Sequence, residues 1–189
     1  MKKLTLASLV LAGISTAVFA APKDGDTDTA SATLKWSAEM PIVADGEWMT
    51  ITGQGGKAAL DNGALTINND GTFDSEPIVM EIRSFDANTG TIGELLEVGK
   101  STGVTVGTLR YAVERTHFES DKGTDLSGVS GQLKEGTLGP VDSAGKETVA
   151  TVTSWTIHNA NGESFPTLTG GENVTAEAVI RVDASYITN

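Results

Sequence analysis

Apolar and polar positions alternate without a fault from residue 30 to residue 40. Ala30, Ala32, Leu34, Trp36, Ala38 and Met40 share one face, and Ser31, Thr33, Lys35, Ser37 and Glu39 take the other. That period of two predicts a half-buried β-strand. Pro41 ends it, because proline has no N–H to give to a ladder. The far end of the chain repeats the pattern. Val174, Ala176, Ala178, Ile180, Val182, Ala184 and Tyr186 face one way, Thr175, Glu177, Arg181, Asp183 and Ser185 the other, and only Val179 interrupts the polar side. Two long amphipathic strands are therefore expected, one near each end.

Between them, strand-like runs at 47–52, 64–68, 77–85, 104–114 and 148–158 are separated by Gly, Asn and Asp turns. The spacing suits an antiparallel sandwich. Within 77–85, Ile78, Met80 and Ile82 point one way and Glu81 and Arg83 the other. Asn62-Gly63 and Asp70-Gly71 are the strongest hairpin signals, because a type I′ turn needs positive φ at both central residues. Gly107, inside its run, is expected to mark a bulge or bend. Residues 91–98 could form a helical turn or two, and 120–131 and 136–146, rich in Gly, Ser and Asp, read as exposed loops. The fold class that follows is all-β, an antiparallel β-sandwich.

The first twenty residues change the picture of where the chain works. A basic start (Lys2, Lys3), an apolar run from Leu4 to Phe19 broken by Ser8, Gly13, Ser15 and Thr16, and a small-residue end at Ala20 read as a signal peptide. Cleavage there leaves 169 of the 189 residues, enough for one domain with a buried core. Residues 21–29 (APKDGDTDT) are expected to be a flexible leader, 30–41 the first strand, and 42–189 the sandwich domain. Without Lys2 and Lys3, eleven basic residues face twenty-five acidic ones, a net charge of −14, which disfavours nucleic acid and anionic lipid as partners. No second apolar run suggests membrane insertion.

Chemistry is sparse. The chain has no cysteine, which removes thiol nucleophiles, thiolate metal sites and disulfides. Gly99-Lys100-Ser101-Thr102-Gly103 matches the G-x-S-x-G elbow, but a strand rather than a helix is predicted to follow it, so it reads as a turn. His117 and His158, the two histidines, lie in no ligand or triad spacing. Asp24, Asp26 and Asp28 could gather a hard cation such as calcium, at the ordering cost of a flexible tail. Trp36, Trp48 and Trp155 fall in strand runs that core packing explains, although exposed aromatics could also stack on sugars. No catalytic residue, metal or cofactor is assigned.

A strand that stands apart at the start of a sandwich can pair with the next molecule. An extended segment added to a sheet edge gains ladder hydrogen bonds and seats alternate side chains in pockets. Leu34, Trp36 and Met40 would be the large plugs, and Ala30, Ala32 and Ala38 would enter shallower sites. Such a contact is head to tail and builds open filaments. The alternative is that the strand pairs within its own domain, and composition and period do not choose between the two.

The layout resembles the major subunits of chaperone-usher fimbriae, in particular the cysteine-free colonisation-factor and common-pilus types. The resemblance rests on Ala32-Thr33-Leu34-Lys35-Trp36 followed by Pro41, and on the closing strand 174–187 with Tyr186 near its end. Many pilins hold a disulfide and a penultimate tyrosine, whereas this chain has no cysteine and its Tyr186 lies three residues before Asn189. The resemblance implies an incomplete immunoglobulin-like β-sandwich (the pilin fold), export through the periplasm to the cell surface, a periplasmic chaperone, an outer-membrane usher, and donor-strand exchange between identical subunits in a fibre for adhesion or biofilm formation. It makes 30–40 the donor strand, and Val174, Ala176, Ala178, Ile180, Val182, Ala184 and Tyr186 the acceptor groove and chaperone edge. The rival class is a secreted carbohydrate-binding or tip-adhesin sandwich.

Overall fold

The structure is a computed structural model that describes residues 21–36, 43–99, 104–160 and 163–188. Residues 1–20, read above as a signal peptide, Ala38, Met40, Pro41 and the Lys100–Gly103 part of the elbow lie outside the described residues. Among the described residues there is no helix, and the chain is all-β.

Two antiparallel sheets form the sandwich. The first runs β11 (Lys146–Thr148), β8 (Val104–Ser120), β13 (Val174–Thr188), β1 (Thr27–Trp36), β2 (Val43–Ala44). Its spine is the long β8–β13 pair, joined from Val174↔Ser120 to Thr188↔Val104. The second sheet runs β10 (Gly139–Val141), β9 (Gly131–Glu135), β12 (Val152–Asn159), β5 (Phe73–Ser75), β4 (Leu65–Ile67). The other end of β12 pairs with β6 (Ile78–Asp86), which also carries β3 (Met49–Thr52) and β7 (Thr91–Leu95).

Alternation decides which side chains meet between the sheets. Ile78, Met80 and Ile82 of β6 and Trp155 and Ile157 of β12 face the inner residues of β1, β8 and β13, and all are buried. Aromatic pairs tie the layers together along the molecule. Phe73, Phe118 and Phe165 cluster at one end, Tyr111 packs on Trp155 in the middle, and Trp48 meets Tyr186 edge-on at 5.5 Å at the other end. Such pairs add about 0.5–1.5 kcal/mol each beyond the area they bury.

Gly107 marks a bulge as expected. Tyr186 pairs with Val106 and Ser185 with Thr108, so Gly107 is the unpaired extra residue, lying under the Ile187 side chain. Several local expectations are corrected. Residues 91–95 form strand β7 on the edge of β6, because Gly93 is a poor helix residue and its carbonyl accepts from the Arg83 guanidinium across the ladder. Asp70-Gly71 does lie in the β4–β5 hairpin, but not as a two-residue I′ turn. The Gly71 N–H donates to the Asn68 carbonyl, only Gly71 has positive φ, and the Asp70 carboxylate is held by the Thr72 N–H and hydroxyl. Asn62-Gly63 is no hairpin, since Gly63 instead presses against Trp36. The 136–146 stretch contains the short strand β10 and the first residue of β11.

Candidate functional site

The two amphipathic ends of the sequence lie side by side. Strand β1 pairs antiparallel with β13 through all ten of its residues, from Thr27↔Ser185 to Trp36↔Ala176. On the inner face the register sets Ala30 opposite Val182, Ala32 opposite Ile180, Leu34 opposite Ala178 and Trp36 opposite Ala176. Small residues face large ones at each step, so the seam fills without overpacking. These eight side chains are each exposed by 2% or less. Full burial contributes about 1.5–3 kcal/mol for a side chain such as Leu34, relative to leaving it exposed.

The outer face is matched as well. The Thr29 hydroxyl donates to Asp183, and Lys35 Nζ lies 2.7 Å from Glu177 Oε1, each pair directly opposed across the ladder. Beyond the strand, the Gly25 N–H donates to the Tyr186 carbonyl and the Tyr186 N–H to the Asp26 carbonyl. The expected donor residues Ala30, Ala32, Leu34 and Trp36 and the expected groove residues Ala176, Ala178, Ile180, Val182 and Ala184 are therefore brought together within one chain. Tyr186 is buried at the end of the seam and Val174 is half-buried at the other.

Along the other edge of β1, the described residues make fewer backbone pairings, among them the Gly63 N–H donating to the Lys35 carbonyl. Only Ser31 and Ala32 pair with β2, which is two residues long. β1 thus lies along one side of β13, which is paired along its far side to β8.

The ordered strand begins at Thr27, three residues before the expected boundary. Asp28 explains the extension. It sits at the inward parity of Ala30, and its buried carboxylate accepts from three successive backbone N–H groups, those of Glu47 (2.9 Å), Trp48 (2.8 Å) and Met49 (3.0 Å). Such a row of amides is an anion-binding nest. Gly46 is required beside it, because a Cβ there would fall 2.5 Å from the Asp28 carboxylate. Burial, and secondarily the Asp28 charge, pushes the Tyr186 hydroxyl above the ordinary tyrosine range. At the other end of β1, Trp36 Nε1 donates to the Glu76 carbonyl at 2.9 Å, and the indole lies where a Cβ on Gly63 would come within 2.4 Å of it.

The three leader aspartates are occupied by the fold. Asp24 accepts from the Thr188 N–H, Asp26 from the Lys23 N–H, and Asp28 from the nest. His117 is exposed beside Glu119, while a ring nitrogen of His158 lies 2.7 Å from the Gln132 carbonyl. Gly99 has positive φ, and β8 begins at Val104, so a strand follows the elbow motif. Trp36 and Trp155 are core residues. Trp48 is half-buried and lines a cavity of about 370 Å³ with Phe85, Tyr186, Glu47, Asp86 and Asn88.

Pattern reading did not single out Gly46, and it took Asp28 for a tail residue able to gather a cation and Gly63 for a hairpin glycine. The one available signal was that Asp28 falls on the inward parity of the alternating strand, where a carboxylate must find donors. Comparison with family models, with curated proteins and with solved structures found no match to this chain. No helix among the described residues is long and apolar enough to cross a membrane.

Proposed function

We propose that this chain is the structural subunit of a surface fibre, not an enzyme, and that it polymerises head to tail by exchanging β1 between identical copies. The observation that carries the reading is the place of β1. It is the first strand of the described chain, it completes the core with four buried side chains, and it is paired along its whole length with β13. In the isolated chain β1 occupies its own slot. Transfer to a neighbour's slot keeps every one of those contacts and costs little beyond ordering the connection, the energetic basis of domain swapping. A periodic head-to-tail swap does not close, so it yields a filament, and it leaves no unpaired β13 edge.

On this reading an empty slot is an aggregation hazard before assembly. A periplasmic chaperone covering β13 and an outer-membrane usher are the partners that export would need, with adhesion or biofilm formation at the cell surface as the output. The test compares the chain from Ala21 with one from Pro41. The longer chain should form linear oligomers visible by electron microscopy. The shorter should not, and a peptide of residues 30–40 should raise its melting temperature. Unchanged oligomers from the shorter chain would refute strand exchange.

The cavity beside Trp48 favours one second reading, a carbohydrate-binding module, because it sets aromatic rings next to carboxylate and amide groups. Trp48 is the half-buried tryptophan, so titration with simple sugars should quench or shift its fluorescence, and Trp48→Phe should abolish the response. A flat titration removes this reading.

A further inference from the structure

Alternation fixes which face of β1 looks inward, but it does not fix register. A slip of one residue would turn every apolar side chain outward, whereas a slip of two keeps the face. Alternation alone therefore leaves a two-residue slip open, since it would keep Ala30, Ala32, Leu34 and Trp36 on the inward face. A fibre built by strand exchange must exclude such slips at every joint.

We propose that Asp28 and Trp36 are the register pins of the exchanged strand, each seated in a backbone socket floored by a glycine; this rests on the strand-exchange reading above. The Asp28 socket is the Glu47–Met49 amide row above Gly46. The Trp36 socket is the slot over Gly63 with the Glu76 carbonyl as acceptor. Eight residues separate the pins, about 26 Å of strand, so they act at opposite ends of β1.

The penalty works in both directions. Moving β1 so that Ala30 reaches the amide row leaves the Glu47, Trp48 and Met49 N–H groups without this acceptor, and that of buried Met49 has no ready access to water in its place. Moving it the other way carries Asp28 to the position of Ala30, opposite Val182, and buries a charge among apolar groups. That second slip also delivers Asp26 to the amide row. Asp26 can replace Asp28 there, so at this end of the strand it is the charge at position 28 that opposes the slip. The Trp36 indole and Gly63 oppose both slips by shape.

Because the chain has no cysteine, introduced pairs report register directly. Thr33 lies opposite Val179, so Thr33→Cys with Val179→Cys reads the native register. Thr33→Cys with Glu177→Cys reads the slip that brings Asp26 to the nest, and with Arg181→Cys the opposite slip. Each pair is made on one chain, and also split between two chains that are mixed before assembly. With Asp28 present, disulfides should form in the native pair alone. In Asp28→Ala the Glu177 pair should gain on the order of tenfold or more relative to the native pair, and the Arg181 pair less.

Asp28→Asn, which keeps the shape of the side chain, should give an intermediate gain and carries the test if Asp28→Ala does not fold. Cross-linking in Asp28→Ala and Asp28→Asn confined to the native pair overturns the pins. Absence of any disulfide between mixed chains overturns strand exchange instead, while the one-chain pairs still decide whether Asp28 sets register.

Discussion

Replacing Leu34 by alanine tests whether β1 completes the core. Leu34 is fully buried, and the residue opposite it on β13 is Ala178, which cannot extend into the space left behind. Its inward neighbours along β1 are Ala32, equally small, and Trp36, whose ring is fixed by its hydrogen bond to Glu76. With little able to collapse, the cost should fall in the middle to upper part of the usual range of about 2–5 kcal/mol for such a truncation. A value near 3 kcal/mol is a large share of a total stability of about 5–15 kcal/mol. For a domain of this size it lowers the melting temperature by roughly 6–12 °C. In urea the midpoint should drop by about 1–3 M with an unchanged slope. Ile92→Ala, on the exposed edge strand β7, supplies the control and should stay within about 0.5 kcal/mol. A loss below about 1 kcal/mol for Leu34→Ala would mean that β1 does not occupy this slot in the isolated chain. Fibres assembled from the variant should dissociate at lower urea than fibres of the unaltered chain, since the same side chain would fill the same slot of a neighbour.

Other substitutions probe single contacts. Gly63→Ala would place a methyl 2.4 Å from the Trp36 ring and 2.9 Å from the Glu76 carbonyl, so calorimetry should show a loss of about 1–3 kcal/mol, and a neutral result would argue against the Trp36 socket. The Glu81 carboxylate is held below its ordinary range by the Gly55 amide first, and by Arg83 and the Gly56 amide as well. Its folded value lies below its unfolded one, so its stabilisation is complete above the ordinary glutamate range near 4.5 and is lost as pH falls through the folded value. Denaturant titrations should show Glu81→Gln flattening that acid limb. Two tyrosines give opposite expectations: Tyr111→Phe loses the hydrogen bond to the Ala150 carbonyl at 2.8 Å and should cost about 1 kcal/mol. The Tyr186 hydroxyl is buried with no hydrogen-bond partner among the described residues, so Tyr186→Phe should be neutral or slightly stabilising in the same unfolding assay.

What could be read from the sequence, and what could not, follows from which forces leave a trace in the order of residues. Burial on one face of a strand leaves a period of two, and both long end strands and the inner face of β6 were legible for that reason. So was Gly107, where one residue drops out of a ladder. Turn chemistry was legible only in part, because Gly63 carries the same dipeptide signal as a hairpin glycine while its position is required by the Trp36 ring. The 91–95 segment shows the opposite failure, a weak local helical pattern overridden by pairing with β6.

The deeper limit lies at the β1–β13 seam. An alternating strand satisfies its slot equally well from its own chain or from an identical neighbour, because every contacting atom is the same in both cases. No pattern of residues distinguishes the two, and the balance is set by concentration and by the connection between β1 and the rest of the chain. Asp28 is different in kind. A carboxylate at an inward position works against burial unless a particular row of amides meets it, so its presence there is a statement about one alignment and no other. Apolar side chains give β1 its affinity for the slot, and the charged residue among them gives the slot a single place at which to accept it.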